Sequence, residues 1–268
     1  MRLSVNDHEV FVATGGKVFD RNLPTVIFLH GSGLDHRSFA LQTRWFAYHG
    51  FSVLAPGLPG HSLSGGKACT SIEESSKWLA DFLDAAGVKS AHLVGHSQGF
   101  LTVLEFSKNN PDRVFSITAI GTAAAIPVNE ALIDTAKESS SRAANMMVNW
   151  AFGPQAHNGR SAVPGMQPIA IGRAIMSQNP LATDLQACAD YTGGIDAANA
   201  LGDIPSCCIL ADKDKMTPIK SGLILAETMG TTPIVIQGYG HMLPIEAPRK
   251  TLNALRDFIS SIQNQAAA

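Results

Sequence analysis

The sequence predicts an α/β fold: a mostly parallel central sheet with helices on both faces, carrying an inserted helical cap. Three observations predict it. Short apolar, β-rich runs alternate with longer stretches of helical periodicity. The clearest of these runs lack polar alternation, as strands buried on both faces do. One region, from about Ala123 to Asn199, breaks the alternation with Ala, Met, Gly and Pro and is too long for a loop.

Taken in order, His8 to Ala13 alternates polar and apolar residues, which predicts an edge strand wetted on one face. Thr25 to Leu29, Phe51 to Ala55, Ala91 to Val94, Val114 to Ile120, Cys207 to Leu210 and Ile234 to Ile236 read as the central strands. Between them, Ser71 to Ala86 is the clearest helix: Ser71 and Glu74 form a capping box, and Gly87 supplies a left-handed stop. Its apolar face, Ile72, Trp78, Leu79, Phe82 and Leu83, belongs to the core. After Pro248, the spacing of Leu252, Leu255, Phe258 and Ile259 predicts a closing helix packed on the sheet. The cap, residues 123–199, follows the sixth strand as two helical groups divided near Pro164, Gly165 and Pro168; residues 1–122 and 200–268 form the core domain. Gln265 to Ala268 reads as a frayed tail.

Composition narrows the partners. The chain has 268 residues, 45% of them hydrophobic and 16% charged, which fits an ordinary globular protein. A formal charge of -2 and the lack of a local basic patch argue against nucleic acid and leave a small neutral or weakly polar molecule as the default substrate. Cys207 and Cys208 are adjacent in an apolar run, and with Cys69 and Cys188 they read as packing thiols of a reducing compartment. Arg2, Asp7 and Glu9 stand where a signal peptide needs unbroken apolar sequence, and no run approaches membrane-spanning length, so a cytoplasmic location and no membrane partner are expected. Without HExxH or clustered ligands at zinc spacing, neither metal nor other cofactor is expected. Oligomeric state is not legible.

The chemistry centres on Gly95-His96-Ser97-Gln98-Gly99, directly after a buried strand and before the helical pattern of Leu101, Val103, Leu104 and Phe106. In that context the motif is a nucleophile elbow: the turn is so tight that the residues two before and two after the serine must lack side chains, and the hydroxyl is left exposed on a strained backbone. A serine hydroxyl is a poor nucleophile at neutral pH, so Ser97 needs a base within reach and a carboxylate to orient that base. His241, in Gly238-Tyr239-Gly240-His241-Met242 after the last strand, is the candidate base; His157, the other histidine after Ser97, falls in the cap. Asp212 and Asp214 compete for the acid at the end of Cys207 to Leu210. The amide N–H of Gln98, opening a helix, is a candidate oxyanion donor.

The order Ser, Asp, His, the elbow, His30-Gly31-Ser32-Gly33, Pro59-Gly60-His61 and Gly240-His241 together resemble the α/β-hydrolase superfamily along nearly the whole chain outside the cap. The resemblance implies that Asp214, with Pro218 four residues on, is the acid of a GxxDxxxP pattern whose first glycine is here Ala211. It also implies that the HGxG loop donates the Ser32 N–H to the oxyanion, with Gly33 close behind. Gly57 and Ser62 depart from the family's DxxGHGxS loop, which alters loop shape and not the triad.

These readings predict hydrolysis of a small, apolar carboxylic ester, lactone or thioester through an acyl-enzyme on Ser97. Gly33, His96, Met146, Trp150 and Met242 are candidate substrate contacts, and Met147, Phe152, Met166, Met176 and Tyr191 further wall candidates. Three alternatives stay open: a carbon-carbon bond hydrolase, disfavoured by His96 and Met242 where Asn and Trp are usual; a perhydrolase or cofactor-free haloperoxidase; and a receptor on the same scaffold.

Overall fold

The computed structural model describes residues 1–266, with side chains through Gln263, so the expected frayed tail lies outside the residues whose side chains are described. The chain opens with β1 (Arg2–Val5) and β2 (His8–Ala13), then β3 (Thr25–Leu29), α1 (Ala40–Ala47), β4 (Ser52–Pro56), α2 (Ile72–Ala86), β5 (Ala91–His96), α3 (Gln98–Asn109) and β6 (Val114–Ile120). Six helices follow: α4 (Glu130–Glu138), α5 (Ser140–Ala151), α6 (Pro154–His157), α7 (Pro168–Met176), α8 (Leu181–Asp190) and α9 (Gly194–Asn199). The core resumes with β7 (Ser206–Ala211), α10 (Ile219–Thr228), β8 (Ile234–Ile236), α11 (Leu243–Glu246) and α12 (Pro248–Ala266).

The eight strands form one sheet in the order β1-β2-β4-β3-β5-β6-β7-β8. Pairing is parallel from β4 to β8 and antiparallel where β2 meets β1 and β4. β3 shows how the pleat divides the core. Val26 and Phe28 pack on one face with Phe46 and Leu255 of the flanking helices, while Ile27 and Leu29 pack on the other with Phe82 and Phe100. Each such fully buried large side chain contributes about 1.5–3 kcal/mol over exposure.

Two strand assignments need correction. β2 is not the edge: β1 covers it through an antiparallel hairpin turned at Asn6 and Asp7, whose φ angles are 49° and 63°. Left-handed values at both turn positions are what a tight two-residue hairpin requires, and Asn and Asp tolerate them. β8 is not central but the opposite edge, and Ile234 is exposed there.

The capping box on α2 is half as expected. Ser71 Oγ accepts the Glu74 N–H at 3.1 Å, but the Glu74 carboxylate reaches one residue further out and accepts from the Thr70 N–H at 2.6 Å. Gly87 closes the helix at φ 69°.

Between β6 and β7 the insert has a core of its own, in which Leu132, Ile133, Met147, Val148, Ile175 and Leu185 pack together and against Leu34, Met242 and Ile245 of the sheet domain. α9 differs: its Ala197 and Ala198 pack into the cluster containing Phe100 and Leu104 of α3. The insert therefore sits over the carboxyl ends of the central strands.

Candidate active site

Ser97 occupies the turn between β5 and α3 with φ 54° and ψ -124°, a left-handed backbone a serine adopts only under constraint. The constraint is visible in the flanking glycines. A Cβ on Gly95 would lie 2.4 Å from Phe100 Cα, and one on Gly99 would lie 2.3 Å from the Leu29 carbonyl oxygen. Both contacts are with backbone and have no room to give, so the strand-to-helix turn tolerates only glycine there.

His241 follows β8 and Asp214 follows β7, and both side chains are buried. His241 Nδ1 donates to Asp214 Oδ2 at 2.9 Å. The same carboxylate accepts the Met216 and Thr217 N–H groups at 2.8 Å each and the Thr217 hydroxyl at 2.8 Å, so its four contacts fix its orientation. Burial would raise the pKa of Asp214, but the His241 imidazole and these hydrogen bonds outweigh it and hold the carboxyl below its ordinary range. Asp212 points elsewhere: it accepts the Gly238 N–H at 2.5 Å and pairs with Lys213.

With Nδ1–H committed to Asp214, His241 presents Nε2 to a cavity of about 210 Å³ that Ser97 also lines. The Ser97 hydroxyl makes no hydrogen bond to His241 among the described residues, though both side chains line the same cavity. The cavity is walled by Ser32, His96 and Met242 from the sheet domain and by Leu132, Met147, Trp150, Met176, Leu185 and Cys188 from the insert.

Around the prospective oxyanion position the amides sort themselves. Leu34 N–H donates to Gly31 O at 3.0 Å and Gly33 N–H to Asp184 Oδ2 at 2.6 Å, while Ser97 N–H donates to Ile120 O at 3.0 Å. Ser32 N–H has no partner among the described residues, and Gln98 N–H, first in its helix, has none within that helix.

Several candidate contacts are placed otherwise than expected. Gly33 is not on the cavity wall, because its amide faces Asp184 and its Cβ position is closed by Leu181. Met146 turns away and Met147, one residue on, takes the wall. Phe152 and Met166 pack in the insert's core, and Tyr191 packs with Ile72 and Leu101 while its hydroxyl donates to Glu105 at 2.9 Å. His96 does line the cavity, but burial and the neighbouring His241 push its pKa down to about 3, so it is a neutral ring whose Nε2–H holds the His241 carbonyl at 2.9 Å. Cys188 is a buried thiol, pushed by burial to about 12.

Three further residues brace the candidate site: Thr217, Asp184 and Glu246. Thr217 was legible as the hydroxyl three residues after Asp214. Asp184 and Glu246 were not. Glu246 accepts N–H groups of Met242 and Gly240, on either side of His241, and of Gly153 in the insert, at 3.3, 3.4 and 2.7 Å. Among the described residues no group of three or more His, Cys, Asp and Glu could hold a metal ion, and no helix is long and apolar enough to cross a membrane.

A buried serine on a left-handed turn at the end of a central parallel strand, sharing a cavity with a histidine backed by a carboxylate, is the arrangement the resemblance to α/β-hydrolases implies. The chain belongs to the alpha/beta hydrolase family, whose model matches residues 26–255. It is 36% identical over 99 residues to the dihydrolipoyllysine-residue acetyltransferase component of the acetoin cleaving system of Cupriavidus necator, a match covering 36% of this chain and 26% of that protein. It is 32% identical over 102 residues to a 2-hydroxy-6-oxononadienedioate/2-hydroxy-6-oxononatrienedioate hydrolase of Paraburkholderia phymatum, covering 36% of this chain and 35% of the relative. The chain thus spans about a quarter to a third of the length of these curated relatives. By contrast, its 24% identity to 3-oxoadipate enol-lactonase 1 of Acinetobacter baylyi extends over 249 residues, 90% of this chain and 91% of that one. In fold it resembles the enol-lactonase from Burkholderia xenovorans LB400, with a TM-score of 0.86, 19% identity and coverage of 97% and 100%.

Proposed function

We propose that this hydrolase cleaves a small, largely apolar carboxylic ester or lactone, thioesters included, through an acyl-enzyme on Ser97. The observation that carries the reading is the shared cavity of Ser97 and His241, with Asp214 hydrogen-bonded to the far side of the imidazole. His241 Nε2 takes the Ser97 proton as Oγ attacks the carbonyl carbon. The imidazolium then protonates the leaving oxygen or sulfur; in the second half-reaction the neutral imidazole takes a proton from water as it attacks the acyl carbon, and returns it to Ser97 Oγ as the acid leaves. Ser32 and Gln98 N–H, the two amides left over at the site, receive the oxyanion; losing one such donor costs on the order of 2.7–4 kcal/mol of transition-state stabilisation. Leu132, Met147, Trp150 and Met176 form the apolar part of the wall. Similarity to an enol-lactonase over nine-tenths of both chains favours a lactone among these substrates.

The match to a 2-hydroxy-6-oxononadienedioate/2-hydroxy-6-oxononatrienedioate hydrolase supports a second reading, hydrolysis of a carbon-carbon bond beside a ketone by the same three side chains. Incubation with p-nitrophenyl esters, a lactone panel and a vinylogous diketone separates the two readings, and a fluorophosphonate tests the nucleophile. Ser97 is expected to be labelled, and Ser97→Ala to lose roughly three orders of magnitude in turnover or more. Retention of parental esterase activity by Ser97→Ala would end this mechanism, and absence of both labelling and turnover in the parent would favour a receptor.

A further inference from the structure

We infer that Asp184, from the insert, is a positioning residue that holds the loop carrying the Ser32 amide, which makes the insert part of the catalytic apparatus and not only a wall around the substrate. The inference rests on the proposed role of Ser32 as an oxyanion donor.

Asp184 projects from α8 and is 2% exposed. Its Oδ2 accepts the Gly33 N–H at 2.6 Å and His61 Nε2–H at 2.8 Å. His61 Nδ1 donates to the Pro59 carbonyl at 2.9 Å while Nε2 faces the Asp184 carboxyl, so both ring nitrogens meet acceptors, the arrangement that favours the charged ring. Burial opposes that charge most, but Asp184, with help from the Pro59 carbonyl and Asp35, outweighs it and raises the pKa of His61. A buried carboxylate with an ionic partner and an amide donor is well compensated; removing one partner from such a set is costly.

Other contacts grip the same loop. His30 Nδ1–H donates to Gly31 O at 3.0 Å. Asn179, just before α8, donates to Gly33 O and Leu34 O at 2.9 Å each and accepts the Ser62 N–H at 2.8 Å. The peptide groups on both sides of Ser32 are therefore fixed, and those after it by side chains from the insert. One turn beyond Asp184, Cys188 lies 3.5 Å from the Ser32 hydroxyl and lines the cavity. The helix that shapes the acyl pocket thus also sets the direction of an oxyanion donor.

The test compares the parent with Asp184→Ala and Asp184→Asn, the second keeping an oxygen for the Gly33 amide. Each is assayed for kcat and KM on a p-nitrophenyl ester and for inhibition by a trifluoromethyl ketone, whose hemiketal oxyanion occupies the donor site. Asp184→Ala is expected to lower kcat about 10- to 100-fold, as a misdirected donor does, with KM changed less than about 3-fold and ketone affinity falling in parallel with kcat/KM. Asp184→Asn should recover part of the loss. Hydrogen exchange of the peptide spanning residues 30–34 should be slow in the parent and faster in Asp184→Ala, a readout that needs no turnover. Should Asp184→Ala not fold, Asp184→Asn is judged by the same measures against the parent. Parental kcat and unchanged exchange in a folded variant, or a loss confined to KM or to thermal stability, would overturn the proposal. Failure of the fluorophosphonate to label the parent would instead overturn Ser97 as nucleophile, leaving the exchange result to decide the role of Asp184.

Discussion

Asp212 and Asp214 stand two residues apart on the same loop, yet only one can orient a histidine, and the difference lies in what each carboxylate touches. Asp214 meets His241 and three donors of the Met216–Thr217 turn, whereas Asp212 braces the Gly238 amide beside a surface lysine. Asp214→Asn should lower kcat by about two to four orders of magnitude, because an amide no longer selects the Nδ1–H tautomer, while Asp212→Asn should stay within about threefold of the parent. Steady-state kinetics on one ester decides it, and the reverse order would move the role to Asp212. Because folding lowers the Asp214 pKa, this residue's stabilisation is present above the pKa of an unfolded aspartate and is lost as pH falls through the folded value.

Among elements, legibility followed the range of the forces involved. β3, β5 and the elbow were readable because their signals are local: unbroken apolar runs, and glycines whose absent Cβ atoms leave room for Phe100 and the Leu29 carbonyl. β1 escaped because a four-residue strand carries little pattern, although Asn6-Asp7 between apolar alternations was a hairpin signal. Asp184 and Glu246 escaped for a different reason. Their partners lie far off in sequence, Gly33 being 151 residues from Asp184 and Gly153 being 93 from Glu246, and each reads in sequence as an ordinary helical acid.

Glu246 carries a prediction of its own. Burial outweighs its three amide donors and raises its pKa from 4.5 to about 7. The folded protein then keeps a proton that the unfolded chain has released, so the contribution of Glu246 to stability declines as pH rises through that window and is level above it. Denaturation of the parent and Glu246→Gln across the window should show the parent losing ground to the variant as pH rises. A gap that does not vary with pH would mean the carboxylate stays ionised when folded.

At the scale of the molecule, the sheet domain carries the proposed reacting groups and the insert supplies most of the cavity wall, so under that proposal selectivity and chemistry can be altered separately where a wall residue bears no structural load. Trp150 meets that condition: it lines the cavity yet is 40% exposed. Trp150→Ala should cost no more than about 0.5 kcal/mol in stability. It should shift the kcat/KM ratio of a bulky acyl ester to an acetate upward by about 10-fold. Competition assays with the two esters check the shift, and an unchanged ratio would place the acyl group away from α5.

The junction where Gly153 meets Gly240 has a practical consequence. A Cβ on either glycine would lie within 2.6 Å of the other's backbone nitrogen, and Met242 N–H donates to Ala151 O at 3.1 Å across the same seam. An engineer grafting a foreign lid between β6 and β7 to change the chain's diet would be replacing half of a backbone-to-backbone joint. A donor lid lacking a glycine at that point would arrive with a methyl group where the histidine loop already stands, and the graft would spoil the catalyst before it met any new substrate.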